Sequence, residues 1–293
     1  MVDTFSEADT RKQTWEADIK GFAAKRYVMK TLVMDMTTDA WTNSYYQKTA
    51  TSLTGGTGSS VEGIPRGADF PFMERGVTLK SAVILQHGGE GVIYWQDILT
   101  SNIRIEAETI SDITDAVVYS VDNKIYNTLS ENNTPSTINT VAITALYEWD
   151  AVAEQNRNPV QDLLNCIAAI ETDRYQIISS GQGFVAMNEA TYALLMGNSK
   201  VLNHPTFKMA DGIISNGKLA RLVGLDIMVT PVITNDYVLV GMAKKCGTWK
   251  SAQPLTVDVI IDPQKKYTIR ASEIGLCELT DPESLCLLTN VRK

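Results

Sequence analysis

VTLKSAVILQHGGEGVIYWQDILTSNIRIEAETISDITDAVVYSVDNKIYNTLS runs from Val77 to Ser130 and changes its period partway. VTLKSAVILQ (Val77–Gln86) and VIYWQDI (Val92–Ile98) are rich in β-branched and aromatic residues, and HGGEG (His87–Gly91) lies between them. Two such runs around a glycine-rich break predict a β-hairpin with its turn at His87–Gly91. From Ile98 to about Ser130 the pattern becomes helical. Ile103, Ile110, Ile113, Val117, Val121, Ile125 and Leu129 place one apolar stripe along one face, while Asp112, Asp115, Asp122 and Lys124 fall elsewhere. At about 1.5 Å per residue this helix spans roughly 40 Å or more, which is long for an ordinary domain. ENNTPST follows, with Pro135 as the stop.

Upstream, IPRGADFPFMERG holds Pro65, Pro71 and glycines, so it reads as an irregular or edge segment. A hairpin beside two prolines is expected to project, and an isolated hairpin is marginal in water. It therefore calls for a partner surface. Thr54–Ser60 (TGGTGSS) is flexible punctuation. It lacks the Gly-Lys-Ser/Thr ending, the leading strand and the following helix of a phosphate loop. Residues 1–54 form a polar opening segment with a helical recurrence of Phe22, Ala23, Tyr27, Met29, Leu32, Val33 and Met36. Trp15, Trp41, Tyr45 and Tyr46 stand there among polar neighbours. Aromatics on an arm-like segment pack on something, either another subunit or their own domain.

Downstream of a less legible bridge (Ile138–Gln155), Asn158 caps a helix that opens on Pro159, with Asp162 in its first turn. Leu163, Ile167 and Ile170, with Leu164, supply its buried face. GFVAMNEATYALL reads as a strand, an Asn188 cap and a short helix. GKLARLVGLDIMVTP turns at Gly224 into a strand, and Asp236–Ala243 is another. Helix and strand alternate between about 150 and 250, which predicts an α/β unit. In the tail, Leu255, Val257, Val259 and Ile261 alternate to one side. KKYTIRASEIGLCEL and CLLTNV follow as further strands. The long β elements suggest a return to the domain that holds the long helix.

The chain has 293 residues, with 44% apolar and 20% charged, and a formal net charge of −8. That fits a folded globular protein and argues against a generally basic nucleic-acid surface. Cys166, Cys246, Cys277 and Cys286 lack paired short spacing and are expected reduced and buried. No apolar run reaches membrane-spanning length. His87 (in a turn) and His204 (before Pro205) have no accompanying acid and nucleophile, so a surface position is expected for each. Gly181-Gln182-Gly183 holds two glycines of a dinucleotide fingerprint, but Asn188 stands near the third place, leaving a loop before a strand. No metal spacing and no GxSxG occur. Catalytic, cofactor-binding and metal-binding residues are therefore all assigned as none.

The order of parts resembles the Hong Kong 97 (HK97-like) fold of tailed-virus major capsid proteins. RGADFPFMERGVTLKSAVILQHGGEGVIYWQDI looks like the family's extended loop leading into its long "spine" helix, and VDNKIYNTLSEN like that helix's end. GFVAMNEATYALL, GKLARLVGLDIMVTP and LCELTDPESLCLLTNV resemble its later phrases. The resemblance implies an α+β chain divided into an N-terminal arm (1–54), an extended β-hairpin loop (55–97), a peripheral domain with spine helix and β strands (98–149 and 251–293) and an α/β axial domain (150–250). It further implies a non-enzymatic shell protein, assembling with copies of itself into hexamers and pentamers around double-stranded DNA that is enclosed rather than specifically bound. Portal and possibly scaffolding or decoration proteins are implied partners, with no cofactor and no membrane. The implied location is the virion, and the host cytoplasm during assembly. The short segment before the loop implies a separate scaffold or none. Some relatives cross-link a lysine to an asparagine. Lys80 is a candidate donor, but no local acid pattern accompanies it and no cross-link is assigned. Two other readings stay open: a nanocompartment (encapsulin-type) shell around cargo enzymes, and an α/β enzyme with scattered catalytic residues.

Overall fold

The long helix, its glycine-bearing neighbour strand and the opening segment form one interlocked unit in the computed structural model. The model describes residues 17–19, 21, 23, 26–49, 62–71, 76–96, 103–172, 175–202, 221–262 and 265–293. Trp15, Phe22, Thr54–Ser60, His204 and Leu219 lie outside the described residues. The first elements are α1 (Met29–Leu32), β1 (Met34–Thr37), β2 (Thr42–Lys48), β3 (Val77–Val83), β4 (Leu85–Tyr94) and α2 (Ile103–Leu129). Then come β5 (Asn139–Ala142), α3 (Pro159–Thr172), α4 (Ile177–Ser180), β6 (Gly183–Met187), α5 (Glu189–Met196), α6 (Ser199–Leu202), β7 (Arg221–Leu222), β8 (Leu225–Val229) and β9 (Val238–Met242). The chain closes with β10 (Gly247–Asp262), β11 (Lys266–Leu279) and β12 (Leu285–Thr289).

Three sheets organise these strands. A four-stranded sheet has the order β1-β10-β11-β4, a six-stranded sheet the order β5-β12-β9-β6-β8-β7, and β2 pairs with β3 alone. The stripe on α2 lies against the four-stranded sheet, with Ile110, Ile113, Val117, Val121, Ile125 and Leu129 all buried. Burying each such side chain contributes about 1.5–3 kcal/mol. A second core forms around the six-stranded sheet. There α3 supplies Leu163, Cys166, Ile167 and Ile170, while Leu164, expected inside, lies outside at the surface.

The hairpin expected to turn at His87–Gly91 does not form. That stretch is the middle of β4, and β4 pairs antiparallel with β11, placing His87 opposite Glu273, Gly89 opposite Ala271 and Gly91 opposite Ile269. The glycines serve close approach. A Cβ on Gly91 would lie 2.6 Å from both Ile113 Cδ1 and Thr109 Cγ2 of α2. The hairpin that does form joins β2 to β3, in register from Thr42 opposite Val83 to Lys48 opposite Val77. The tail also divides. β10 and β11 return to the sheet beneath α2, but β12 enters the six-stranded sheet between β5 and β9. Leu285, Cys286, Leu287 and Leu288 are buried there, as a central strand covered on both faces requires.

Much of the described opening segment packs on its own domain, while Trp41 and Tyr46 stay exposed. Ile19, Ala23, Met29, Leu32 and Val33 are buried, and β1 runs parallel to β10. Asp122 of α2, which falls off the apolar stripe, is nevertheless buried and caps α1. Its carboxylate accepts the backbone N–H of Val28 (2.8 Å) and of Lys30 (3.1 Å). Burial pushes the Asp122 carboxyl up from its ordinary value, and these N–H bonds oppose the shift. Glu273, fully buried, accepts from Lys30 Nζ (2.5 Å), Tyr27 OH (2.6 Å) and Trp249 Nε1 (3.2 Å). Arg26 pairs with Asp115 at the surface.

Candidate assembly surfaces

The β2–β3 ribbon has two unlike faces. Side chains directly opposite in an antiparallel pair share a face, so Asn43, Tyr45, Gln47, Thr78, Lys80 and Ala82 make one face. Thr42, Ser44, Tyr46, Lys48, Val77, Leu79, Ser81 and Val83 make the other. The first face is anchored on β2. Asn43 Nδ2 donates to Glu278 Oε1 (2.9 Å), Gln47 is buried, and the half-buried Tyr45 bonds the backbone of Leu279, with partial burial pushing its phenol up. The second face is open, with Tyr46, Val77, Leu79 and Val83 all exposed, and Trp41 at the entry to β2 is 72% exposed. Exposed apolar side chains gathered on one face mark an interaction surface rather than ordinary scatter.

The base of the ribbon is held by a polar cluster. Lys48 Nζ donates to Tyr175 OH (2.7 Å) and pairs with Asp281 Oδ2 (3.1 Å), and Tyr175 OH also donates to Asp281 (2.7 Å). Lys245 Nζ stands 4.1 Å from the Tyr175 ring centroid. Lys48, Lys245 and Asp281 border an open cleft of about 610 Å³ that also takes in Tyr46, Val77 and Thr280. The residues come from β2, β3, the α3–α4 and β9–β10 connections and the β11–β12 turn. No short sequence signal joins them, so the reading of the sequence missed them. Lys48 alone carried a hint, as the cation that ends a polar-aromatic alternation.

The residues weighed for chemistry are dispersed. His87, expected at the surface of a turn, is 7% exposed on β4. Its Nδ1 lies 2.8 Å from Ser120 Oγ, and burial lowers its pKa below the ordinary 6.5. Gly181 ends α4 in the left-handed region (φ 65°). A Cβ on Gly183 would meet Leu225 Cδ2 at 2.6 Å, so these glycines serve a turn and a packing contact. Lys80 is exposed on β3 opposite Tyr45. The four cysteines are buried and free; burial pushes the Cys246 thiol up to about 12. Asn188 caps α5 as expected, its Oδ1 accepting from Ala190 N–H (3.0 Å). Gly224 (φ 81°) with Val223 (φ 52°) makes the two-residue turn that pairs Leu222 with Leu225. Among the described residues no group of three His, Cys, Asp or Glu side chains is placed to hold a metal, and no helix is long and apolar enough to cross a membrane.

No protein-family model matches the sequence, and no curated protein matches it. Solved structures do match. The chain is similar to the virus-like particle from Pyrococcus furiosus, with a TM-score of 0.61 and 12% identity over 95% of this chain and 99% of that one. It is similar to the capsid of the cyanophage P-SCSP1u, with a TM-score of 0.61 and 12% identity over 90% of this chain and 88% of that one. A phage-related protein from Bordetella bronchiseptica gives a TM-score of 0.63 at 10% identity, over 94% and 97%. At these identities the likeness is one of fold. The chain has the α+β, HK97-like capsid fold that its sequence resembles.

Proposed function

We propose that this chain is a major capsid protein, with a structural rather than catalytic role. One observation carries the reading: a chain whose fold matches capsid chains along nearly their whole length also projects a two-stranded ribbon with an unpartnered apolar face. Copies assemble into hexamers and pentamers that close an icosahedral shell around double-stranded DNA. Helix α2 with the four-stranded sheet forms the peripheral layer. The six-stranded sheet, which includes β5 and β12, forms the axial unit with α3–α6. The ribbon and its connection form the extended loop that reaches a neighbouring copy. A net charge of −8 suits a shell that confines DNA mechanically without a basic face. The protein resides in the virion, after assembly in the host cytoplasm, with a portal at one vertex.

Negative-stain microscopy of the expressed protein tests the reading. Closed particles of uniform size support it, and a stable monomer or dimer on size-exclusion chromatography overturns it. A second reading, a shell around cargo enzymes, draws support from the likeness to the Pyrococcus furiosus virus-like particle. Contents separate the two: nuclease-protected DNA in native particles favours the capsid, and a co-purifying enzyme favours the compartment.

A further inference from the structure

The loop between β5 and α3 is fastened along its length. Tyr147 N–H donates to Thr144 O (3.0 Å), Trp149 N–H to Val291 O (2.9 Å) and Ala151 N–H to Glu148 O (3.0 Å). Asn156 Nδ2 donates to Leu146 O (3.2 Å), and Arg157 Nε to Ala151 O (2.6 Å). The buried Trp149 indole donates to Asp162 (2.9 Å). This rigid frame holds large apolar side chains outward. Val152 is 100% exposed, and Leu146 and Tyr147 are also exposed. Leu146 sits at φ 75°, uncommon for a branched residue. Such strain persists where the surroundings fix it. The loop encloses a hollow of about 310 Å³ lined by Leu146, Ala151, Val152 and Ala153, with Glu148 and Asp150 on its rim. Lys293 shares that rim, its backbone N–H donating to Asp150.

The described stretch 62–71, between the two ribbon strands, has the complementary chemistry. Phe70 is 84% exposed. Arg66 is exposed and has no ion-pair partner among the described residues. Aromatic residues and arginine are the usual anchors of protein contacts, and a guanidinium suits a rim that carries two carboxylates. Phe70 and Val152 are both exposed in the same chain, so Phe70 does not fill the hollow of its own chain. A rigid receptor also loses little ordering entropy on binding.

We propose that Phe70 of one copy seats in the Leu146–Ala153 hollow of a neighbouring copy, with Arg66 facing Glu148 and Asp150. The contact rests on the shell reading and names the partner surface for the stretch between the ribbon strands. It is tested with the full chain carrying Phe70→Cys and Val152→Cys, on a background whose own cysteines are buried. Assembled particles of the double variant, oxidised with copper phenanthroline, are expected to run as a thiol-sensitive covalent ladder, at least tenfold above either single variant. Normal particles without that ladder overturn the contact. As a second measurement, Val152→Asp changes a fully exposed position, so the subunit melts unchanged while particle yield falls at least tenfold. A normal yield also overturns the contact. If the unmodified chain forms no particles, the shell reading itself falls and this contact with it, a result distinct from particles that form without the cross-link.

Discussion

Asp122 shows what one side chain does when it is taken out of water and given backbone donors. Its carboxylate satisfies N–H groups at the start of α1, and losing such a cap costs about 1–2 kcal/mol. Asp122→Ala is therefore expected to lower the unfolding free energy by that amount, read as a lower urea midpoint, and to speed proteolysis near residues 26–33 before the rest of the chain is cut. His87 makes a prediction about pH. Burial holds its folded pKa below the ordinary 6.5, so the unfolded chain takes up the proton first as pH falls. The stability His87 contributes is complete above about 6.5 and is lost as pH drops through the folded value. Urea midpoints between pH 8 and 5 should fall more steeply for the unmodified chain than for His87→Gln. Equal slopes would remove His87 from the account.

At the scale of elements, β4 depends on having no side chain where α2 crosses it. Gly91→Val places carbons inside contact distance of Ile113 and Thr109. Overpacking of this kind costs about 1–3 kcal/mol, read as a lower melting temperature with unchanged helix content by circular dichroism. The same glycines explain what the sequence concealed. A glycine that bends a chain and a glycine that lets a helix approach look alike locally, and only the partner, more than a dozen residues away, tells them apart. Alternation through Ile93, Gly91, Gly89 and His87 on one side was the available sign that the strand continued. The stripe on α2, the Pro159 start and the Asn188 cap were legible because their causes lie within a few residues. The capping role of Asp122 was not legible because its partner donors are about 90 residues distant. The open ribbon face was partly legible through Trp41, Tyr46 and the exposed Val77 run. Its pairing was not, since β2 is mostly polar. Shortening the ribbon tests its role while leaving β4 (Leu85–Tyr94) in its sheet. Lys48 and Val77 are register partners, so Asn-Gly in place of residues 49–76 closes the hairpin with a two-residue turn. That variant should keep its far-ultraviolet spectrum and lose particle formation; intact particles would deny the connection a role in assembly.

For the whole molecule, the proposed covering of the open ribbon face by neighbouring copies would tie stability to concentration. Whatever binds the folded form alone stabilises it by mass action. The thermal midpoint of the unmodified chain should rise over a hundredfold increase in concentration, and that of the shortened-ribbon variant should stay flat. A flat response from both would mean that the open face is never covered.

The parallel pairing of β1 with β10 also sets a clock. Leu32 and Cys246, which meet at the end of that pairing, lie 214 residues apart. At roughly 5–20 residues per second of synthesis, the opening strand waits on the order of 10–40 s for its partner to leave the ribosome. Until then the sheet beneath the long helix lacks its middle and the ribbon lacks the turn that anchors its base. In the proposed shell role, a growing chain would lack its finished sheet and anchored ribbon until synthesis nears its end, so assembly would follow completion.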